Sequence, residues 1–60
     1  MTRLMSIEHA ILEISGQYLI EPSLLVETAQ EEPSLKNAIL KYAKGEIHGD
    51  DFNYIMNQVF

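Results

Sequence analysis

The sequence predicts an all-α fold, a small bundle of three to four short helices in one domain covering residues 1–60. Apolar residues recur at intervals of three and four along most of the chain, as in helices that bury one face. No stretch alternates apolar and polar residues with the β-branched enrichment of a strand. Four helices are expected near residues 6–19, 22–30, 33–44 and 51–59.

The first helix is predicted from four apolar residues at steps of four, three and four, namely Ile7, Ile11, Ile14 and Tyr18. Ser6 is the expected N-cap, because its hydroxyl can accept a hydrogen bond from a free backbone N–H of the first turn. Thr2 is the alternative cap if the helix begins earlier. Gly16 weakens a helix by about 1 kcal/mol relative to alanine, so it marks either an early end or a close contact.

The second and third helices are predicted from a repeated motif, EPSL, at residues 21–24 and 32–35. Proline suits the first position of a helix because its φ is fixed and its missing N–H has no helical partner there. The residue before proline is also pushed out of the α region. Each motif therefore predicts a helix start, at Pro22 and at Pro33. Gly45 is expected to end the third helix in the left-handed conformation.

The last helix is expected to follow a turn over residues 46–50 and to be capped by Asp50 or Asp51. Its apolar stripe consists of Phe52, Ile55, Met56 and Val59, with Tyr54 and Phe60 widening it. Across all four helices, the residues expected to be most buried are Ile11, Ile14, Leu35, Ile39, Tyr42, Ile55 and Met56.

Size and composition together predict a chain that needs a partner. A domain of this length buries roughly 60 % of the surface of its unfolded chain, yet 47 % of the residues are apolar and no cysteine can form a disulfide. A protein partner, a second copy or both would cover the surplus. We therefore expect a non-enzymatic protein–protein interaction module, such as an adaptor, inhibitor or assembly protein. The expected interface residues are Phe52, Tyr54, Met56 and Phe60, unless that stripe only completes the core.

The basic residues support an alternative hypothesis, a DNA-binding regulator of the helix-turn-helix kind. Four polar side chains share one arc of the third helix, without an acid among them, and could contact an acidic partner or nucleic acid: Lys36, Asn37, Lys41 and Lys44. The net charge of −5 disfavours nucleic acid, as do Glu31 and Glu32 at the entrance of this helix. An ordinary solvated face explains the same pattern more simply.

Enzymatic, metal-binding and membrane functions are disfavoured. His48, Asp50 and Asp51 lack the spacing of zinc or calcium ligands, and an exposed helical pair explains His9 and Glu13. No phosphate-binding glycine loop or nucleophile motif occurs, so we expect no catalytic residue, metal or cofactor. Uninterrupted apolar runs reach only three residues, too few to cross a membrane. The N-terminal stretch has no secretory pattern, which with the absence of cysteine favours a cytoplasmic protein.

Overall fold

The computed structural model describes residues 4–60, which form four α-helices and contain no strand. The helices are α1 (Ile7–Tyr18), α2 (Pro22–Glu31), α3 (Pro33–Lys44) and α4 (Gly49–Val59). The predicted all-α bundle is therefore confirmed. The two EPSL motifs place proline at the first position of α2 and α3, as the sequence predicted.

The start of α1 is capped as expected by Ser6. Its backbone is extended, and its hydroxyl accepts a hydrogen bond of 3.1 Å from the backbone N–H of His9. Thr2, the alternative cap, lies outside the described residues. The main chain just before the cap is held by α3, because the N–H of Met5 donates to the carbonyl of Ala43 at 2.9 Å. This bond satisfies one of the carbonyls that the end of a helix leaves free.

The end of α1 lies beyond Gly16 and depends on a left-handed leucine. Gly16 sits within the helix, and no atom lies within 4 Å of the position a β-carbon would take, so neither role expected for it is found. Leu19 has a φ of 56°, and the N–H groups of Leu19 and Ile20 both donate to the carbonyl of Ser15. A left-handed conformation costs about 1–2 kcal/mol for a residue with a β-carbon, so this turn is strained.

The end of α3 has the expected glycine. Gly45 has a φ of 71°, and its N–H donates to the carbonyls of Lys41 and Tyr42. The N–H of Glu46 donates to the carbonyl of Lys41 at 2.8 Å, which completes the hydrogen-bond pattern of a glycine-terminated helix. The same turn shape therefore closes α1 and α3, but only α3 has the residue that adopts it without strain.

The start of α4 corrects the sequence prediction. The helix begins at Gly49, and the capping residue is His48, whose extended backbone carbonyl accepts from the N–H of Phe52 at 3.0 Å. Asp50 and Asp51 lie in the first turn instead of at the cap. Two carboxylates there still stabilise the helix, because its N-terminal end carries partial positive charge.

The core is organised around α3, which packs against each of the other three helices. The buried cluster contains residues from all four helices: Ile14, Leu25, Ala29, Leu35, Ala38, Ile39, Phe52 and Met56. Four of the seven expected core residues are buried as predicted, namely Ile14, Leu35, Ile39 and Met56. The other three are only half-buried and pack against the cluster: Ile11, Tyr42 and Ile55.

Phe52 joins α4 to the rest of the bundle through two aromatic contacts. Its ring lies 5.9 Å from that of Tyr18 in an edge-to-face arrangement and 5.1 Å from that of Tyr42 in a tilted one. The hydroxyl groups of both tyrosines extend outward, where Tyr18 donates to the side chain of Asn53 and Tyr42 donates to Glu13. These bonds explain why Tyr42 is only half-buried: its polar end must reach a partner.

Candidate functional site

The four residues expected to form an interface on α4 divide into two pairs. Phe52 and Met56 are buried among the core residues, with only 2 % of each side chain exposed. They cannot contact a partner, and their part of the interface hypothesis is wrong. The reason is that the helix must use its most continuous apolar seam to complete its own core. Tyr54 and Phe60 are exposed, at 65 % and 51 %.

Tyr54 and Phe60 do not form one patch. They are six residues apart, so their directions around α4 differ by about 120° and their positions along it by about 9 Å. Tyr54 borders a cleft of about 230 Å³ whose other residues are Glu32, Ser34, Ile55, Gln58 and Val59. Phe60 takes no part in that cleft. The two rings therefore lie on separate parts of the surface, and only that of Tyr54 borders the cleft.

The polar arc of α3 is exposed along its whole length, at Lys36, Asn37, Lys41 and Lys44. Among the described residues, no carboxylate lies within ion-pairing distance of any of the three lysines. The connection between α2 and α3 is a single residue, Glu32. A helix-turn-helix uses three to four residues there, so the expected resemblance to that motif is weak.

The other polar residues considered as candidate sites either contact neighbouring side chains or are exposed. Nε2 of His9 lies 3.4 Å from a carboxylate oxygen of Glu13, and the second oxygen of Glu13 accepts from the hydroxyl of Tyr42 at 2.7 Å. Glu13 therefore links α1 to α3. His48, Asp50 and Asp51 are exposed, and within residues 4–60 no three histidine or acidic side chains gather as metal ligands would.

A groove that the sequence analysis did not predict opens between α1, α2 and α3. It has a volume of about 300 Å³ and is lined by Ile7, Ile11, Val26, Ala29, Gln30, Lys36, Ile39 and Leu40. Six of these eight side chains are apolar. Ile7 and Val26 at its mouth are 47 % and 36 % exposed, whereas Ile39 is buried beneath them. The groove is therefore a concave apolar surface that is continuous with the core.

The shape of the groove follows from the small side chain of Ala29. This residue lines the groove from the last turn of α2, where a larger side chain would take up part of the volume. Around α3, Leu40 lies at about 40° between Lys36 and Lys44. An apolar residue inside a basic arc is the sequence signal that could have located this site.

No protein family, curated protein or solved structure gives a significant match to the chain. Among the helices formed by residues 4–60, none has both the length and the apolar character required to cross a lipid bilayer.

Proposed function

We propose that this chain is a non-enzymatic protein-binding module whose contact surface is the groove between α1, α2 and α3. The observation that carries the proposal is that half-exposed Ile7 and Val26 stand over half-buried Ile11 and Leu40 in one concavity. Burying such groups against a partner gains about 25 cal/mol for each Å² of apolar surface removed from water. Concave apolar surfaces with few polar groups are the usual form of binding sites.

The chemistry of the lining supports binding rather than catalysis. Among the described residues that line the groove, the polar side chains are those of Gln30 and Lys36, and none is an acid, a histidine or a hydroxyl group. General acid–base catalysis needs a group that can exchange a proton close to a bound substrate. The nearest arrangement of that kind, His9 with Glu13, lies outside the groove, and its carboxylate is held by Tyr42.

The proposal is tested by selecting binders from a displayed library of amphipathic helices about 18 residues long, which is enough to sustain a helix. The double variant Ile7→Ser/Val26→Ser removes apolar side chains from the mouth of the groove. We expect selected peptides to bind this variant at least about tenfold more weakly than the parent, since each lost aliphatic contact contributes about 1 kcal/mol.

The matched control is Leu12→Ser/Leu24→Ser, which makes the same kind of change on the same two helices. Leu12 and Leu24 are exposed and do not line the groove. This control should bind the selected peptides as the parent does, and circular dichroism should show both variants to be helical. Equal losses in the two double variants, or none in either, would contradict the proposal.

Nucleic-acid binding is the second candidate function, and the exposure of Lys36, Asn37, Lys41 and Lys44 favours it. Glu31 and Glu32 at the entrance of α3 and the net charge of −5 oppose it. A salt titration of binding to random duplex DNA separates the two functions, because phosphate contacts produce a steep decrease in affinity with salt. A steep slope that Lys41→Gln reduces would favour the second candidate.

Self-association through the outer surface of α4 is a subsidiary part of the proposal, and so is a cytoplasmic location. Tyr54 and Phe60 are exposed aromatic rings, which are common anchors at interfaces. The groove is a poor surface for a symmetric dimer whose twofold axis runs across it, because that arrangement would bring Lys36 of both copies together. A dimer is therefore expected to use α4 and to leave the groove open.

A further inference from the structure

The proposed groove can be assigned a class of partner, and this inference rests on the proposed function. We propose that the groove receives an amphipathic α-helix from another protein, with apolar side chains along one stripe and acidic residues along the margin that meets α3. Three features of the described residues support this choice: the position of the lysines, their lack of partners and the spacing of the lining residues.

One lysine of α3 lines the groove, and a second lies on the same arc of that helix. Lys36 lines the groove directly, together with Leu40. Lys44 follows Lys36 by eight residues and lies only about 80° from it around the helix. A helix seated over Leu40 would therefore pass between two ammonium groups. Carboxylates on its margin would meet both, and charge complementarity of this kind selects the partner and increases the association rate.

These positive charges are not neutralised within the chain. The sequence has nine acidic residues, yet among the described residues no carboxylate pairs with Lys36, Lys41 or Lys44. All nine acids instead precede or follow α3, and none occurs between residues 33 and 45. The groove margin is thus a local basic surface on an acidic protein. A partner with an acidic margin gains favourable contacts there, whereas a basic partner meets repulsion.

The spacing of the lining residues favours a helix as the occupant. Each wall includes a pair of lining residues four apart: Ile7 and Ile11 on α1, Val26 and Gln30 on α2, Lys36 and Leu40 on α3. Ala29 and Ile39 complete the lining. Rows of side chains at this spacing form the ridges between which another helix packs. A volume of about 300 Å³ holds inserted side chains while the backbone of the partner lies across the mouth.

A second copy of this chain fits the groove less well. A twofold axis that runs across the groove would place Lys36 of one copy against Lys36 of the other. One acidic helix that a second copy could insert is α4, but its apolar seam is buried in the core. The exposed rings of Tyr54 and Phe60 point about 120° apart, so they cannot form the single stripe that a groove requires.

The test compares two designed peptides of about 18 residues with the same leucine stripe. One carries glutamate at the margins of the stripe and the other carries lysine. Fluorescence anisotropy at low salt gives the two dissociation constants for the full chain. We expect the glutamate peptide to bind about tenfold more tightly, the ratio that two or three exposed ion pairs produce. The net charge of −5 by itself predicts the opposite order, so this result cannot arise from overall attraction.

Reversing the charge of one lysine at a time shows which lysine causes the preference for the glutamate peptide. Lys36→Glu should reverse the preference, so that the lysine peptide becomes the tighter ligand. Lys41→Glu is the matched control, because it makes the same charge change on the same helix about 140° away from Lys36. It should leave the glutamate peptide preferred. Circular dichroism of both variants excludes loss of the fold as the cause of either result.

The outcomes separate this inference from the proposed function. Equal affinity of the two peptides, tighter binding of the lysine peptide, equal effects of Lys36→Glu and Lys41→Glu, or binding of neither peptide would each overturn the acidic-helix assignment. The proposed function would still stand if library-selected peptides without acidic margins lost affinity for Ile7→Ser/Val26→Ser. If selected peptides bound that double variant as tightly as the parent, both proposals would fail.

Discussion

The groove between α1, α2 and α3 and the outer surface of α4 both expose apolar side chains, but in different ways. In the groove, Ile7 and Val26 stand over half-buried neighbours and form one concave surface with Lys36 beside it. On α4, Tyr54 and Phe60 are more exposed, yet they point in different directions from a largely polar helix. A partner helix could bury several groups together in the groove but only one ring at a time on α4.

This difference shows that exposed area alone is a poor guide to a binding surface. Leu19 is the most exposed large apolar residue among those described, at 92 %, and it lies in the turn after α1 and does not line the groove. Single exposed apolar residues are common on protein surfaces, whereas contiguous concave ones mark contact sites. The position of an apolar group relative to its neighbours therefore matters more than its exposure.

The largest expected effect on stability distinguishes Phe52, which lies in the core, from Tyr54, which lies on the surface of α4. Phe52→Ala should lower the free energy of unfolding by about 3–5 kcal/mol, because it empties the space between Tyr18 and Tyr42. Tyr54→Ala should change it by less than about 0.5 kcal/mol, as surface substitutions usually do. Urea unfolding followed by circular dichroism measures both. A loss above about 2 kcal/mol in Tyr54→Ala would show that this ring packs in the core and is not a surface group.

The turn that positions α4 should be the next most sensitive feature. Gly45→Val should destabilise the protein by at least about 1–2 kcal/mol, because a β-branched residue resists the φ of 71° found there. The groove, built from the three preceding helices, should keep its affinity for selected peptides under conditions where the variant is folded. Thermal unfolding and a peptide titration test the two statements, and unchanged stability would show that this turn does not require glycine.

Self-association provides a direct test of the outer surface of α4. Tyr54→Ser/Phe60→Ser should weaken self-association by about 1–2 kcal/mol, the range of moderate interface anchors. The helical circular dichroism spectrum should be unchanged, because both rings are exposed. Sedimentation equilibrium across a concentration series gives the association constants. A monomeric parent at high concentration would contradict the role of these rings and leave the groove as the contact surface.

The smallest expected effect on stability is that of a substitution at Leu19, in the turn between α1 and α2. Leu19→Gly should raise the free energy of unfolding by about 0.5–1 kcal/mol. Relief of the left-handed strain contributes about 1–2 kcal/mol, and the greater freedom of glycine in the unfolded chain offsets part of it. Chemical denaturation measures the change. A decrease in stability would mean that the side chain of Leu19 contributes to the structure despite its exposure.

The helices could be predicted from the sequence because local chemistry determines them. The two prolines, Ser6 and Gly45 act within one turn of their own positions, and the structure bears out all four. The start of α4 was wrong by two residues, because Asp50 and Asp51 stabilise a first turn as well as a cap and the pattern does not separate these roles.

The groove could not be predicted in the same way, because it depends on how three helices cross. The apolar stripe of α4 predicts that one face of this helix is buried. The stripe does not indicate whether the core of the same chain or a partner buries that face. Only the packed structure shows that Phe52 and Met56 complete the core. Likewise, the small size of Ala29 becomes a hollow only once α1 and α3 lie beside it.

We propose that the groove, and not α4, receives the partner, and a nuclear magnetic resonance titration distinguishes the two surfaces. The isotopically labelled full chain is titrated with the tightest peptide selected from the helix library, and amide shifts are followed residue by residue. We predict that the largest shifts fall on residues 7–11, 26–30 and 36–40, with little change beyond residue 50. Shifts concentrated at Tyr54 and Phe60, with the three groove segments unperturbed, would show that α4 and not the groove binds the peptide.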